Sequence, residues 1–284
     1  MSILEGLEEL GLSKLEELEL YGSEEPEHNT EEGRTGEKPI ETEESLLFPK
    51  EFTCPVCGEN FKQLIVKTGK ARVLGQDQDL RPKHKCIDVQ KYDVILCNSC
   101  GYAALKQYYK PLPGPYRDMI REKIASNYRR MEPFGETITY PQAIKLYRLA
   151  LVNAIVRQGK DSEKALICLK NAWLLRGMQE VHDTLSDEEA IEYPLEWLID
   201  REEQFLSEAK EGFIKARQHE EPPYAGMNEV TLDYLLAVLC FHFGEYDNAA
   251  KLLVTIIQSK QAGKAQKDKA RALVSELREK VKNQ

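Results

Sequence analysis

Two short stretches limit what this chain can fold into more than anything else in it: "FTCPVCGENF" at residues 52–61 and "ILCNSCGYA" at 95–103. Cys54 and Cys57 flank a Pro-Val pair, Cys97 and Cys100 flank Asn-Ser, and each pair closes on a glycine, Gly58 and Gly101. One pair alone fits a redox dithiol, a disulfide or half a metal site. Two matching pairs complete a tetrahedron, because thiolates at this spacing reach one ion from a tight turn, with zinc–sulfur bonds of about 2.3 Å. A redox dithiol and an accidental spacing are the competing explanations. Glycine after the second cysteine supplies the positive φ that such a turn needs.

The 39 residues between Cys57 and Cys97 exceed the roughly 15 to 20 of the simplest four-cysteine pattern, so the insert must carry structure. "FKQLIVKT" and "KYDVILC" are β-branched and aromatic runs that predict strands leading out of one knuckle and into the other. The expectation is a zinc ribbon over residues 46–110. A filled four-thiolate tetrahedron leaves no position for water or substrate, so one structural Zn²⁺ is expected rather than a catalytic one. Its binding, of order 10 kcal/mol in small zinc peptides, would substitute for the core that so small a module can barely build. His84 and Cys86 lie in the insert as alternative ligands. The competing explanation is a surface histidine and a small buried thiol, since four positions are already filled.

The chain has 284 residues, 42% of them hydrophobic, enough for one large or two modest domains. No run approaches 18 consecutive apolar residues, and "MSILEGLEEL" lacks the basic start and apolar stretch of a secretory signal. With seven cysteines, four of them in knuckles, a reducing, cytoplasmic address is expected. The net charge of −9 is uneven: residues 1–45 hold 15 acidic and 3 basic side chains, whereas residues 46–110 hold 11 basic and 6 acidic.

Residues 1–20 read as an acidic amphipathic segment, with Ile3, Leu4, Leu7, Leu15 and Leu18 near one face of a helix that Gly6 and Gly11 weaken. It either docks on a partner or basic surface, or is a frayed tail. Residues 21–45, rich in Glu, Gly, Pro and Thr, read as a disordered acidic linker. "KPLPGPYRD" then punctuates the chain, and residues 116–284 read as a helical domain with its own core. Helices are predicted at 116–131, 141–158, 162–177, 195–218, 228–243, 247–260 and 264–282. Ser186 with Glu189 is a capping box, and Pro141 and Pro194 suit first-turn positions.

Two helix pairs share a grammar. "LDYLLAVLCFHFGEYDNAAKLLVTIIQ" places Leu236, Ala237, Cys240, Gly244, Tyr246, Ala249, Leu253 and Ile256 as a tetratricopeptide repeat does. A weaker match in "LYRLALVNAIVRQGKDSEKALICLKNAWLL" uses Leu151, Ile155, Gly159 and Ala165. Gly159 and Gly244 are 85 residues apart, not a multiple of the repeat length, so the middle of the array has diverged or been extended. The fold class is therefore mostly α, with a small β-containing zinc ribbon and a tetratricopeptide-like helical array.

The opening "FPKEFTCPVCGENF", the "DQDLRP" segment, the second knuckle "CNSCGYA" and the helical half together resemble a bacterial family catalogued as domain of unknown function 2225. The resemblance covers about residues 46–260. It implies Cys54, Cys57, Cys97 and Cys100 as metal ligands and marks Asp77, Asp79, Gly101, Tyr102 and Ala103 as pattern positions, but it implies no activity.

Three functions compete. A non-enzymatic adaptor would present a helical groove to a protein or peptide, with Asn153 and Arg148 as groove contacts; Asn153 is otherwise a simple exposed polar residue. Nucleic-acid binding would use Lys62, Lys67, Lys70, Arg72, Lys83 and Lys85 on phosphates, and Tyr102, Tyr108 and Tyr109 to stack bases. A loaded four-thiolate site subtracts two charges from the ribbon, and the acidic N-terminus opposes that reading. For an enzyme there is no phosphate-binding loop, nucleophile elbow or His-Glu metal motif, and no small-molecule substrate is indicated. Asp77 and Asp79 suit Mg²⁺ or, more simply, turn capping. Glu202, Glu203 and Glu208 read as a solvated helix face, and His242 as a packed histidine. The adaptor is the favoured reading.

Overall fold

A computed structural model of the chain describes residues 41–282. The segment 1–20 and the linker up to residue 40 lie outside the described residues. The last five residues of the linker do not behave as linker: Ser45 and Thr42 close a turn, and Tyr92 donates its hydroxyl to Glu43 Oε1 at 2.7 Å while Lys91 Nζ pairs with the same oxygen at 2.6 Å. Two buried donors that need an acceptor explain why this acidic stretch is held.

Among the described residues three antiparallel hairpins come first. β1 (Leu47–Thr53) pairs with β2 (Asn60–Val66) in the register Leu47↔Val66 to Thr53↔Asn60. β3 (Val73–Gln76) pairs with β4 (Pro82–His84) around an irregularity between Val73 and Gly75. β5 (Val94–Cys97) pairs with β6 (Tyr102–Leu105), Val94↔Leu105 to Cys97↔Tyr102. Each hairpin is its own two-stranded sheet. The first and third are joined by one buried side chain: Gln63 on β2 donates to Val94 O at 2.7 Å and accepts from Leu96 N at 2.9 Å, taking the place of a neighbouring strand.

Eight α-helices follow: α1 (Gly114–Ile120), α2 (Tyr140–Val156), α3 (Asp161–Glu180), α4 (Asp187–Glu192), α5 (Leu195–His219), α6 (Glu229–His242), α7 (Tyr246–Gln258) and α8 (Lys264–Lys282). Their starts are set locally. Thr139 and Gln142 form a capping box on α2, with Pro141 in the first turn, and Ser186 and Glu189 form one on α4. Pro194 stands immediately before α5, and Asn228 caps α6 through Thr231 N at 2.9 Å. The helix predicted over 116–131 is shorter. α1 runs into a π turn at Arg121–Ala125, and the chain then leaves helical geometry until α2. Asn98 explains the departure: it donates to Met131 O and accepts from Met131 N and the Tyr128 hydroxyl, at 2.7 to 2.8 Å.

α2 and α3 form one antiparallel helical hairpin, α6 and α7 another, and between them stand the short α4 and the 25-residue α5 packed along α3. The expected core for residues 116–284 alone is corrected by the packing. Tyr92, in the short turn before β5, and Val94, Leu96 and Leu105 of the third hairpin share one buried cluster with Ile144, Tyr147, Leu174 and Phe213 of the helices. β5 and β6 are buried along their whole length, so they need a cover, and α2 supplies it. A satellite cluster of Ala237, Leu253, Ile256, Ala270 and Leu273 fastens α6, α7 and α8. Among the described residues no helix is long and apolar enough to cross a membrane.

Candidate metal centre

Both cysteine pairs sit in hairpin turns. The first turn, between β1 and β2, is closed by Cys54 N donating to Glu59 O at 2.8 Å and Gly58 N to Cys54 O at 2.9 Å; in the second, Gly101 N donates to Cys97 O at 2.9 Å. Gly58 and Gly101 take φ of +81° and +74°, the left-handed conformation expected of them. Gly101 is constrained a second time, since a Cβ there would lie 2.5 Å from the Tyr128 ring, whereas Gly58 faces open space.

The turns bring the four sulfurs together. Cys54 Sγ lies 3.6 Å from Cys100 Sγ, Cys57 Sγ lies 3.5 Å from Cys97 Sγ, and all four are within 4.8 Å of one another. A tetrahedral ion with sulfur at about 2.3 Å requires sulfur–sulfur edges of about 3.8 Å, so the donor set fits one metal ion. Cys54, Cys97 and Cys100 are buried and Cys57 is exposed. Phe52, Phe61, Tyr102 and Tyr109 build an aromatic wall beside the turns, with ring centroids 5.2 to 6.3 Å apart.

The thiols compete for charge when they have only each other. Sulfur hydrogen bonds from Cys100 and Cys97 bring Cys54 down to about 2, and the bond to that Cys54 thiolate drives Cys100 far up. The first negative charge therefore opposes the next. A cation at the centre removes that opposition, and thiolates are the form that binds it.

Helices fix the turns from outside. Arg121, in the π turn after α1, donates to Val56 O in the first knuckle through Nη2 at 2.7 Å and Nε at 3.2 Å. Asn153, on α2, donates to Gly101 O in the second at 3.0 Å and to Leu149 O at 2.8 Å. Asn153 is wholly buried, so the expectation that it contacts a partner is wrong: its amide serves the second knuckle's backbone. Arg148 is exposed and lies 5.8 Å from the Trp197 ring, which Arg201 also approaches at 5.6 Å.

Among the described residues the four-cysteine cluster is the only set of three or more such side chains placed to share an ion, so His84 and Cys86 stand apart from it. Burial lowers the His84 pKa, and Cys86 is exposed with φ +62°. Cys168 and Cys240 are separate buried thiols, pushed up by burial to about 12 and about 11. Asp77 and Asp79 are occupied: Arg176 reaches Asp77 at 3.2 Å and Asp79 at 2.9 Å, Trp173 Nε1 donates to Asp79 at 2.9 Å, and Asp79 also accepts from Arg81 N. Glu202 is no solvated residue, since Arg176 and Gln179 both donate to it. His242 is exposed, bonded to Glu203 at 2.7 Å and edge-on to Phe243. Of the base-stacking candidates, Tyr102 is fully buried and Tyr108 and Tyr109 half-buried; Lys67 holds Ser45 O, and Lys83 pairs with Asp77 and Glu180. Lys62, Lys70, Arg72 and Lys85 remain exposed.

A family model described as uncharacterised protein conserved in bacteria (DUF2225) matches residues 47–280. No curated protein and no solved structure matches the chain.

Proposed function

The chain belongs to this family of uncharacterised proteins conserved in bacteria, and on the geometry of its site we propose that it is a non-enzymatic adaptor, braced by one structural Zn²⁺ and binding a protein or peptide through its helices. One observation carries the reading. Four sulfurs converge on a single point, among the described residues no further His, Cys, Asp or Glu joins them, and the turns that carry them are tied by Arg121 and Asn153 to the helical half. Such a centre holds elements in place and leaves chemistry no room. Zinc is the ion this reading names because it favours tetrahedral thiolate and has no redox change to make. Helical hairpins like α2–α3 and α6–α7 are the tetratricopeptide-like part, and stacked helix pairs present extended surfaces to partners. A reducing cytoplasmic setting belongs to the same reading, since the thiolates must stay free of disulfides.

The test uses the full chain purified without chelator. Elemental analysis should give one zinc per chain, and partner capture should survive nuclease and a rise in salt from about 50 to 200 mM, over which phosphate-driven binding collapses. Zinc below half an equivalent after zinc-replete expression would sink the centre. Capture lost to nuclease would move the function to nucleic acid.

A further inference from the structure

The polar cavity at Arg81 and Asp88 offers a ligand little, because its cations are already spent: Arg81 and Lys83 on Glu180, Lys91 on Glu43. The crevice where α5, α6 and α7 meet is different. It encloses about 490 Å³, and its floor is aliphatic, made by Ile214 of α5, Leu236 of α6 and Leu252 of α7. Cations and amides stand around that floor, and no carboxylate lines it. We propose that this crevice is a peptide groove, and that its occupant is a short acidic segment of a partner protein carrying leucine-sized side chains. The proposal rests on the adaptor reading and gives the binding a place.

Charge selects the occupant. Lys251 is exposed and has no ion-pair partner among the described residues, and the only carboxylate on Arg217 is the buried Asp233, at 3.1 Å. Arg217 is thereby neutralised, and the one unpaired cation of the lining, Lys251, beside an apolar floor favours a carboxylate flanking an aliphatic residue and disfavours a basic segment. The amides fit main chain. Gln218 is exposed with no hydrogen-bond partner among the described residues, and Asn248 uses its amide nitrogen on Glu245 and leaves its carbonyl oxygen free. Together they offer donors and acceptors to an extended backbone. The volume suits a few side chains rather than a folded surface. Nucleic acid fits less well, since the lining holds no aromatic ring on which a base could stack.

The experiment titrates the zinc-loaded full chain into the fluorescein-labelled octapeptide Asp-Leu-Glu-Asp-Leu-Leu-Glu-Asp, its counterpart with lysine at every acidic position, and a single-stranded oligothymidine, reading fluorescence anisotropy. The acidic peptide should bind, and the lysine peptide and the oligonucleotide should bind at least about tenfold more weakly. Lys251→Glu should weaken the acidic peptide by about tenfold and strengthen the lysine peptide, a reversal that mere structural damage does not produce. Its melting temperature and zinc content should match the parent, because Lys251 is exposed on α7. Failure of the acidic peptide to bind, equal binding by K251E, or preference for the oligonucleotide would overturn the groove. Capture from lysate then separates the two levels of the argument. Partners retained equally by both chains would refute the groove and leave the adaptor standing, whereas no partner on the parent chain would refute the adaptor.

Discussion

Gly58 and Gly101 occupy equivalent places in the two knuckles, yet they should respond very differently to alanine. Both have left-handed backbones, at +81° and +74°, so each substitution carries the same steric cost of about 1–2 kcal/mol. At Gly58 the new methyl meets nothing within 4 Å and the cost ends there. At Gly101 it would lie 2.5 Å from Tyr128 Cγ and Cδ2 and 3.0 Å from its Cβ, the root of the side chain rather than its flexible end. The ring cannot swing aside freely, because its hydroxyl is held by Asn98 Oδ1 at 2.7 Å. Overpacking of this kind adds about 1–3 kcal/mol, so Gly101→Ala should lose about 2–5 kcal/mol in all. The assay is urea unfolding at one buffered free-zinc concentration, since bound metal adds to apparent stability by mass action. A Tyr128→Ala background should recover the overlap but not the backbone cost, giving a coupling of about 1–3 kcal/mol in the double-mutant cycle. Equal losses at the two glycines, or additivity with Tyr128→Ala, would refute the assignment of Tyr128 as the wall behind the second knuckle.

Cys54→Ser should abolish zinc binding and lower helical circular dichroism as well, because the hairpins share a core with α2 and α3; Cys168→Ser and Cys240→Ser should keep one equivalent by elemental analysis. Asn153→Ala strips the buried Gly101 carbonyl of its donor and should cost about 1–3 kcal/mol in the same urea assay, while leaving partner affinity unchanged. Burial opposes ionisation of Glu180, but the hydrogen bonds from Arg81 and Lys83 outweigh it and hold its pKa below 4.5. The stability difference between the parent and Glu180→Gln should therefore be constant above pH 4.5 and shrink as pH falls through the depressed value; a difference that grows on acidification would contradict the ion pair.

What could be read from the sequence was whatever acts over a few residues. The paired cysteines, the capping box at Ser186 and the apolar helix periodicity all express themselves within one or two turns of chain. Gln63, Asn98, Arg121 and Asn153 do not, because each is a polar residue with a partner 30 or more residues away, so nothing in its neighbourhood marks it. Asn153 was misplaced for that reason: an asparagine midway along an amphipathic helix looks exposed until another element arrives to use it. The shared core did leave a trace. "VILC" and "YAAL" are apolar without alternation, the pattern of strands buried on both faces, and such strands cannot complete a module alone. The early end of the helix after Ala125 had no such trace, since it answers to Asn98.

The order of elements along the chain has a consequence for biosynthesis. Among the described residues the hairpins that carry all four sulfurs precede every α-helix, and β5–β6 are the floor on which α2 comes to rest. A ribosome therefore delivers the complete set of metal donors before any of the helical surface that must cover them. With zinc as the proposed ion, its supply at the moment of synthesis, more than its supply afterwards, should set the yield of soluble protein. Chain made in metal-starved cells would present its helices to an unfinished floor, and adding zinc after lysis would recover less of it than adding zinc to the growth medium.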